Sequence, residues 1–262
     1  MKTIIITNQK GGVGKTTTAI NLSYGLSCSG KTTLLIDLDP QANSSSTYCS
    51  NLKKHLSISK IFQNEPPKID SLIIHARVQD KTINNLDLIP SFIDLALAPE
   101  EIPSSFEKEK ILYNNLAPIR NQYDYIIIDC PPNLGILTIN AIFAADLLII
   151  PTTYSKYSLD GISDLLATVK VAREGKDLQY FILRNFYESK NKKTNEFIDN
   201  QLANMKGYLL KTVIRKNEAI NQSQISDTPV QIFNKKSCGY TDFNELTKEI
   251  INISENRYRK AI

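Results

Sequence analysis

The 262-residue sequence has few of the residues that mark metal-binding and disulfide-rich proteins. It has two histidines and four cysteines, the cysteines are scattered, and no two of them form a C-x-x-C pair. The small number and scattered positions of these residues argue against a zinc site and a disulfide framework, and they favour a reducing compartment. The N-terminal apolar run Ile4–Ile6 is far shorter than a signal-peptide core, and no stretch approaches a membrane span. We therefore expect a cytoplasmic protein.

Net charge is also low, but it is unevenly distributed. The formal charge is +4. Residues 184–262 hold an excess of lysine and arginine over aspartate and glutamate, whereas residues 1–183 are close to neutral. This asymmetry predicts that a polyanionic partner binds the last third of the chain. On charge alone, a solvated basic surface explains the pattern equally well.

Short β-branched runs alternate with longer segments whose apolar residues recur at helical spacing. Runs such as "YIIID" and "LLIIP" are continuously apolar, which is typical of a parallel sheet covered on both faces. The alternation predicts an α/β fold with a doubly wound, mostly parallel sheet and helices on both faces. Because no internal repeat or low-complexity linker interrupts it, we expect one domain over residues 1–262.

The element boundaries can be predicted from the same pattern. The predicted strands are Thr3–Thr7, Thr33–Leu38, Leu86–Pro90, Tyr125–Asp129, Leu147–Thr152, Tyr180–Leu183 and Lys211–Ile214. The predicted helices are Lys15–Cys28, Ser104–Gln122, Leu134–Ala144, Leu159–Arg173 and Thr194–Met205. Residues 50–81 are the least regular, and the tandem prolines of "NEPPK" predict a loop there.

A glycine-rich loop follows the first apolar run in "TIIITNQKGGVGKTT". It lies between a strand and a helix, where free helix amides bind an anion. Gly11, Gly12 and Gly14 let backbone amides approach phosphates, Lys15 suits the β/γ oxygens, and the Thr16 hydroxyl suits Mg²⁺. The predicted phosphate-binding residues of this loop are Lys10, Gly11, Gly12, Val13, Gly14, Lys15, Thr16 and Thr17.

This loop departs from the generic pattern G-x-x-x-x-G-K-[ST] because Gln9 stands where the pattern has glycine. It also has a second lysine, Lys10, ahead of the glycines. The variant "KGGVGKT" resembles the loop of the deviant Walker-A ATPases, the family of ParA/Soj, MinD and the nitrogenase iron protein. The resemblance implies a P-loop NTPase fold, ATP and Mg²⁺ as cofactors, and a homodimer that forms on ATP binding. It also implies that Lys10 reaches the partner subunit's phosphates and acts with Lys15 in catalysis.

Two further motifs resemble segments of the same family. "LLIDLDPQAN" ends the second strand, and the resemblance implies that Asp39 orients the attacking water while Asp37 holds Mg²⁺ through its water shell. Phosphoryl transfer needs a positioned water and charge neutralisation more than a strong base. "YDYIIIDCPPNLG" resembles the Walker-B segment and brings Asp129 to the sheet edge, where it completes the Mg²⁺ shell indirectly. We expect Cys130 to be a small buried residue rather than a nucleophile.

The last third contains the predicted base and DNA contacts. "FILRNFYESKNKKTN" matches the segment in which ParA proteins contact adenine, so Asn185 is the candidate, with Ile214 and Arg215 on the other side of the ring. ParA-like proteins bind DNA without sequence preference through lysines and arginines in such C-terminal segments. The predicted DNA-binding residues are Lys190, Lys192, Lys193, Arg215, Lys216, Lys235 and Lys236.

The resemblance favours a ParA/Soj-like DNA-segregation (partition) ATPase, which is nucleoid-associated and hydrolyses ATP slowly until a ParB-like centromere-binding protein stimulates it. The main competing function is that of a MinD-like membrane-associated positioning ATPase. The terminal segment has Phe243, Leu246, Ile250 and Ile253 at helical spacing, but a core-packing helix accounts for these residues, so we expect no stable membrane anchor.

Three further protein classes fit the sequence less well. A protein that uses nucleotide only as a dimer latch has no need of a water-orienting carboxylate, so the pair Asp37 and Asp39 argues against it. The nitrogenase iron protein needs cysteines that bridge an iron-sulfur cluster, whereas Cys130 abuts the Walker-B aspartate. Related bacterial tyrosine kinases end in a tyrosine cluster, and the last twenty residues here contain only Tyr258.

Overall fold

The computed structural model describes residues 2–102, 107–154 and 157–258. The strands are β1 (Lys2–Ile6), β2 (Thr33–Asp37), β3 (Ile74–Val78), β4 (Lys81–Ile89), β5 (Tyr125–Asp129), β6 (Leu147–Thr153), β7 (Gln179–Tyr187) and β8 (Leu209–Arg215). The helices are α1 (Lys15–Cys28), α2 (Asn43–Tyr48), α3 (Ala98–Glu101), α4 (Ile111–Leu116), α5 (Ile136–Ala144), α6 (Tyr157–Ala172), α7 (Lys192–Gln201), α8 (Glu218–Ile225), α9 (Val230–Phe233) and α10 (Cys238–Tyr258).

The strands form an eight-stranded sheet in the order β3-β4-β2-β5-β1-β6-β7-β8. Every neighbouring pair is parallel except β3 and β4. Because parallel neighbours need crossover connections, and strands lie on both sides of β1, helices cover both faces. The predicted doubly wound, mostly parallel α/β sheet is therefore confirmed.

Two apolar cores lie on opposite faces of this sheet. In β1, Ile5 belongs to one core, whereas Ile4 and Ile6 belong to the other. Side chains of a strand alternate between the two faces, so a strand that is buried on both sides must be apolar at every position. This is the physical reason for the continuous apolar runs in the sequence.

The C-terminal helix α10 packs its apolar face into the second core. Phe243, Leu246 and Ile250 are fully buried there, and α10 contacts α1 and β8. The prediction of a core-packing terminal helix is confirmed for this face. Within the described residues, no helix is long and apolar enough to cross a membrane.

Several sequence predictions differ from the structure: the predicted strand Leu86–Pro90 begins earlier, at Lys81, and the predicted helix Thr194–Met205 ends at Gln201 and is followed by a 3₁₀ segment. Residues 107–122 do not form one helix: α4 is followed by a 3₁₀ segment (Ala117–Gln122) with Pro118 at its start, where the ring and the missing amide break an α-helix. The first residues of that predicted helix, 104–106, lie outside the described residues. The edge strand β3 was not predicted, because its sequence "IHARV" is short and half polar. It pairs with β4 through a hairpin turn in which Gln79 and Asp80 have φ of 50° and 63°, typical of type I′ turns.

Candidate nucleotide site

The three predicted motifs meet at the carboxyl edge of the sheet. Register pairs Asp129 at the end of β5 with Ile6 of β1 on one side and with Asp37 of β2 on the other. The glycine-rich loop leaves β1 at the same edge and leads into α1. Ligands bind open parallel sheets at this edge, so topology alone brings the loop and both carboxylates together.

The glycine-rich loop is shaped by Gly14, which precedes the first residue of α1. Its φ is 88°, in the left-handed region, and an added Cβ would lie 2.7 Å from the side-chain Nδ2 of Asn185. Glycine is therefore required both by the backbone and by the neighbouring strand. The amides at the start of α1 are left facing the cleft, which suits a phosphate.

Lys15 is nearly fully buried, and its Nζ donates to the Lys10 carbonyl at 3.1 Å. Burial lowers the pKa of Lys15, while the nearby Asp129 carboxylate opposes this shift. An anion that enters the cleft would stabilise the charged form of Lys15, because burial has removed the ammonium from water.

The cleft over the loop is formed by residues from distant parts of the sequence. The loop itself contributes Gly11, Gly12, Gly14, Lys15, Thr16 and Thr17. Asp39 and Pro132 line it from the second and third motifs, and Phe186 and Gln224 from the last third. Gln224 also donates a hydrogen bond to the Thr17 hydroxyl. Lys10 is absent from the described residues that line this cleft.

Asp37 is fully buried, and its carboxylate is held by the segment that follows it. The Asp39 amide donates to Oδ1 at 3.0 Å, and the Ser45 amide and hydroxyl donate to Oδ2 at 2.8 and 2.7 Å. Burial raises the pKa of Asp37 to about 6, although the Ser45 hydrogen bonds oppose the rise. Asp39 itself borders the cleft and accepts a hydrogen bond from the Gln41 amide at 3.0 Å.

Asp129 is equally buried, yet neither of its oxygens has a hydrogen-bond partner among the described residues. Burial and the neighbouring Asp37 charge raise the pKa of Asp129 well above its ordinary value. The Thr16 and Ser44 hydroxyls lie nearby and oppose this rise, although neither makes a hydrogen bond of normal geometry to the carboxylate. An orphaned buried carboxylate of this kind fits a site that a cation or its water shell completes.

The donor set suits Mg²⁺ rather than a metal held entirely by protein. The described residues contain no cluster of three or more His, Cys, Asp or Glu that could hold a metal ion. Mg²⁺ keeps several waters and takes one or two protein ligands together with substrate phosphates. Of the predicted metal residues, Thr16 and Asp129 meet that lesser requirement. Both oxygens of Asp37 already accept hydrogen bonds, so its contact with Mg²⁺ through the water shell stays a prediction. Cys130 beside them is fully buried with a raised thiol pKa, which fits the predicted inert role.

A second pocket adjoins the loop at the ends of β7 and β8. Asn185, Ile214 and Arg215 line it, as do Phe186 and Phe243, which sequence reasoning missed. Asn185 is 4% exposed, and its Nδ2 donates to the Val13 carbonyl at 2.8 Å. Its Oδ1 has no partner among the described residues, so an acceptor remains for a ligand.

Phe186 is the aromatic residue that joins this pocket to the cleft. It lines both, its φ is 58°, and it is 39% exposed. A bulky residue in the left-handed region is strained, and such strain is concentrated at functional sites. The only sequence signal was its position directly after Asn185, because a lone phenylalanine has no motif.

The Arg215 side chain, which is predicted to contact both the base and DNA, is held by Asp242. Its Nε donates to Asp242 Oδ1 at 3.0 Å, its Nη2 donates to the same oxygen, and its amide donates to Oδ2 at 2.9 Å. Asp242 is buried, so this paired guanidinium is a fixed part of the β8–α10 junction. Contact with base or DNA remains a prediction for a cation whose charge is largely neutralised.

The predicted DNA-binding lysines lie around the ends of β7 and β8. Lys190 and Lys216 share Glu188 at 3.2 and 3.1 Å. The other four are exposed: Lys192 and Lys193 at the start of α7, and Lys235 and Lys236 after α9. A contact between Asn217 and the Cys238 thiol joins the Lys216 segment to the one that holds Lys235 and Lys236. Their DNA role stays a prediction.

Known proteins match the chain over nearly its whole length. A family model described as an AAA domain matches residues 1–180. The sporulation initiation inhibitor protein Soj of Bacillus subtilis is 37% identical over 256 residues, which cover 95% of this chain and 98% of Soj. The chromosome-partitioning ATPase Soj of Treponema pallidum is 33% identical over 95% of this chain and 97% of its own. The chain belongs to the ParA/Soj family of partition ATPases.

A solved structure shows that this ParA/Soj protein is also similar to a relative in its fold. The plasmid partition protein of Borrelia burgdorferi B31 bound to AMPPNP has a TM-score of 0.79 and 29% identity, over 98% of this chain and 99% of that one. The predictions of a ParA/Soj resemblance, a P-loop fold and an ATPase are confirmed. Residue roles within the site are predictions still.

Proposed function

We propose that the protein is a DNA-segregation ATPase that binds Mg-ATP, forms a sandwich homodimer, attaches to DNA without sequence preference and hydrolyses ATP slowly. A ParB-like centromere-binding protein stimulates hydrolysis and so ends the DNA-bound state. The reaction is ATP and water to ADP and phosphate. Binding to chromosomal DNA makes the protein nucleoid-associated.

The cofactors of this activity are ATP and Mg²⁺. The loop amides before α1 and the buried Lys15 ammonium bind the phosphates. The Thr16 hydroxyl and the orphaned Asp129 carboxylate fit Mg²⁺ and its water shell. These residues would hold the ion, and the chemistry it would supply is neutralisation of the charge that develops on the phosphate oxygens.

Asp39 is the residue that best suits the hydrolytic step. It borders the cleft opposite the loop, and the Gln41 amide holds one of its oxygens. A carboxylate at the border of the cleft can accept a hydrogen bond from the attacking water and orient it toward the γ-phosphate. Its carboxylate thus positions a nucleophile, which is the main protein contribution to phosphoryl transfer.

The position of Lys10 is the single observation on which the dimer rests. Its carbonyl accepts the Lys15 hydrogen bond, but Lys10 is outside the group of described residues that line the cleft of its own subunit. A half-buried lysine that adjoins the phosphate loop but does not line the cleft of its own subunit suits a residue that contacts the phosphates bound by a second copy. There it would neutralise charge as an arginine finger does.

DNA attachment rests on the basic residues at the ends of β7 and β8. Lys192, Lys193, Lys235 and Lys236 are exposed, and a contact between Asn217 and Cys238 joins the segment after β8 to the one that holds Lys235 and Lys236. Such cations attract the phosphate backbone without reading bases. A membrane-associated function is not favoured, since the apolar face of α10 is buried against the sheet.

The experiment compares Lys10→Ala with Lys15→Ala and the parent chain. Parent protein should turn over ATP, faster with DNA and partner, and should dimerise on Mg-ATP by light scattering. Lys10→Ala should bind Mg-ATP within about threefold of the parent but stay monomeric and inactive, whereas Lys15→Ala should lose binding itself. Loss of ATP binding in Lys10→Ala would contradict the role in a second subunit. ATP binding by the parent without turnover, even with DNA and partner, would contradict the enzymatic function.

A further inference from the structure

Ser45 joins three parts of the carboxyl edge through one buried side chain. It lies in α2 and is fully buried. Its amide and hydroxyl both donate to Asp37 Oδ2, at 2.8 and 2.7 Å. The same hydroxyl oxygen accepts from the Ser91 amide at 2.8 Å, just after β4. A single hydroxyl therefore links β2, α2 and the exit of β4.

These hydrogen bonds occupy both oxygens of the Asp37 carboxylate. With Oδ1 taken by the Asp39 amide and Oδ2 by Ser45, it closes the loop 39–45 into a fixed turn. The adjacent carboxylate of Asp129 differs, because both of its oxygens lack partners among the described residues. The Asp37 carboxylate is thus committed to the Asp39 loop, whereas the Asp129 carboxylate is bound to neither that loop nor Ser45 among the described contacts.

We propose that Ser45 is a positioning residue for hydrolysis: through Asp37 it holds the loop that carries Asp39 at the distance from the γ-phosphate that the attacking water requires. This inference rests on the proposed ATPase function. The phosphate-binding loop and Lys15 have no bond to Ser45 among the described contacts, so nucleotide binding is independent of it. A misplacement of about 1 Å in a water-orienting group costs on the order of 100-fold in rate.

The chain offers a matched control in the next residue. Ser46 lies in the same helix, is half-buried, and its hydroxyl donates only to the Ala42 carbonyl at 3.0 Å, one helical turn back. Ser46→Ala thus removes one local hydrogen bond and leaves the Asp37 contacts in place.

The test measures ATP affinity and single-turnover hydrolysis for Ser45→Ala, Ser46→Ala and parent protein, with thermal melting as a check of folding. Ser45→Ala should lower the hydrolysis rate by at least about tenfold with ATP affinity within about twofold, and Ser46→Ala should match the parent in both. A parental rate in Ser45→Ala overturns the inference. So does an equal loss of affinity and rate, which would mean a general structural role.

A second variant keeps the test decisive if Ser45→Ala does not fold. Ser45→Cys keeps the side-chain branching and the amide bond, but its larger thiol donates only weakly. Its rate should fall by at least about threefold with unchanged ATP affinity, and a parental rate overturns the inference. The failure of the proposed function is a separate outcome, because then the parent protein itself hydrolyses no ATP.

Discussion

The cleft over the glycine-rich loop and the pocket beside it, which we propose as the phosphate end and the base end of the nucleotide site, are built in different ways. At the phosphate end, the loop, Asp37 and Asp129 each come directly from the end of a central strand, and both carboxylates are buried. At the base end, Phe186 is partly exposed, and the pocket gathers residues from β7, β8, α8 and α10. The first is rigid because strand register sets it, whereas the second depends on how peripheral helices pack.

This difference predicts how the two ends respond to substitution. Changes at the phosphate end should alter chemistry or abolish binding, since groups there have no alternative position. Changes at the base end should weaken affinity by smaller factors, because a base is held by many apolar contacts that are lost one at a time. Gly14 lies where the ends meet, with its missing Cβ facing Asn185.

The largest effect is expected at Asp39. Asp39→Ala should lower ATP hydrolysis by about 100-fold or more, since the water loses its orienting carboxylate. ATP binding should persist, so the variant should accumulate as a nucleotide-bound dimer on DNA, measured by turnover and by DNA sedimentation. Asp70→Ala, an exposed aspartate in a 3₁₀ turn, is the control and should behave as the parent. A monomeric, ATP-bound Asp39→Ala protein would refute the assigned role.

Gly14→Ala tests the junction between the two ends. Its φ of 88° disfavours a side chain, and the new Cβ would lie 2.7 Å from the side-chain Nδ2 of Asn185. ATP affinity should fall by about tenfold or more, as expected for about 1–3 kcal/mol of local strain. Gly207→Ala is the control, because a Cβ there meets no atom within 4 Å. Equal ATP affinity in both variants, measured by titration calorimetry, would mean that the loop adapts freely.

Phe186→Ala sharpens the comparison at the base end. Losing one stacking surface should weaken ATP binding by about fivefold to tenfold, which is the low end of the range of about 1–3 kcal/mol for base stacking on an aromatic ring. The single-turnover rate at saturating ATP should not change, because base contacts add affinity without touching the attacking water. Phe197→Ala, a similarly exposed phenylalanine of α7, is the control. A lowered rate at saturation would show that the two ends are not separable.

The smallest effect is expected from the exposed lysines. Replacing Lys192 and Lys193 together with alanine should weaken DNA binding several-fold and lower the salt slope by about 2. ATP-dependent dimerisation should be unaffected. The pair Lys53 and Lys54, exposed in the segment between α2 and β3, is the matched control. Identical salt slopes for both double variants would mean that DNA binds another surface of the protein. These lysines are better probes than Arg215, whose loss would also leave Asp242 buried without its partner.

The fold and the phosphate end were largely predictable because their signals are local. Helix α1 begins and ends where predicted, at Lys15 and Cys28. An apolar strand followed by glycines, or by a carboxylate, already specifies its own position at the sheet edge. The segment 107–122 was not predictable from periodicity, since Pro118 interrupts an otherwise helical pattern. Nor was β3, whose pairing with β4 creates a strand that its own sequence hardly favours.

The sequence by itself determined the loop, the carboxylates at the ends of β2 and β5, and the family. Each is a short motif whose geometry follows from neighbouring residues and strand register. Only the tertiary structure decided that Phe186 lies beside Gly14, that Ser45 holds Asp37 to the exit of β4, and that Asp242 neutralises Arg215. These contacts join separate elements, and several are made by residue types that recur throughout any sequence. Their partners follow from packing, which no local pattern specifies.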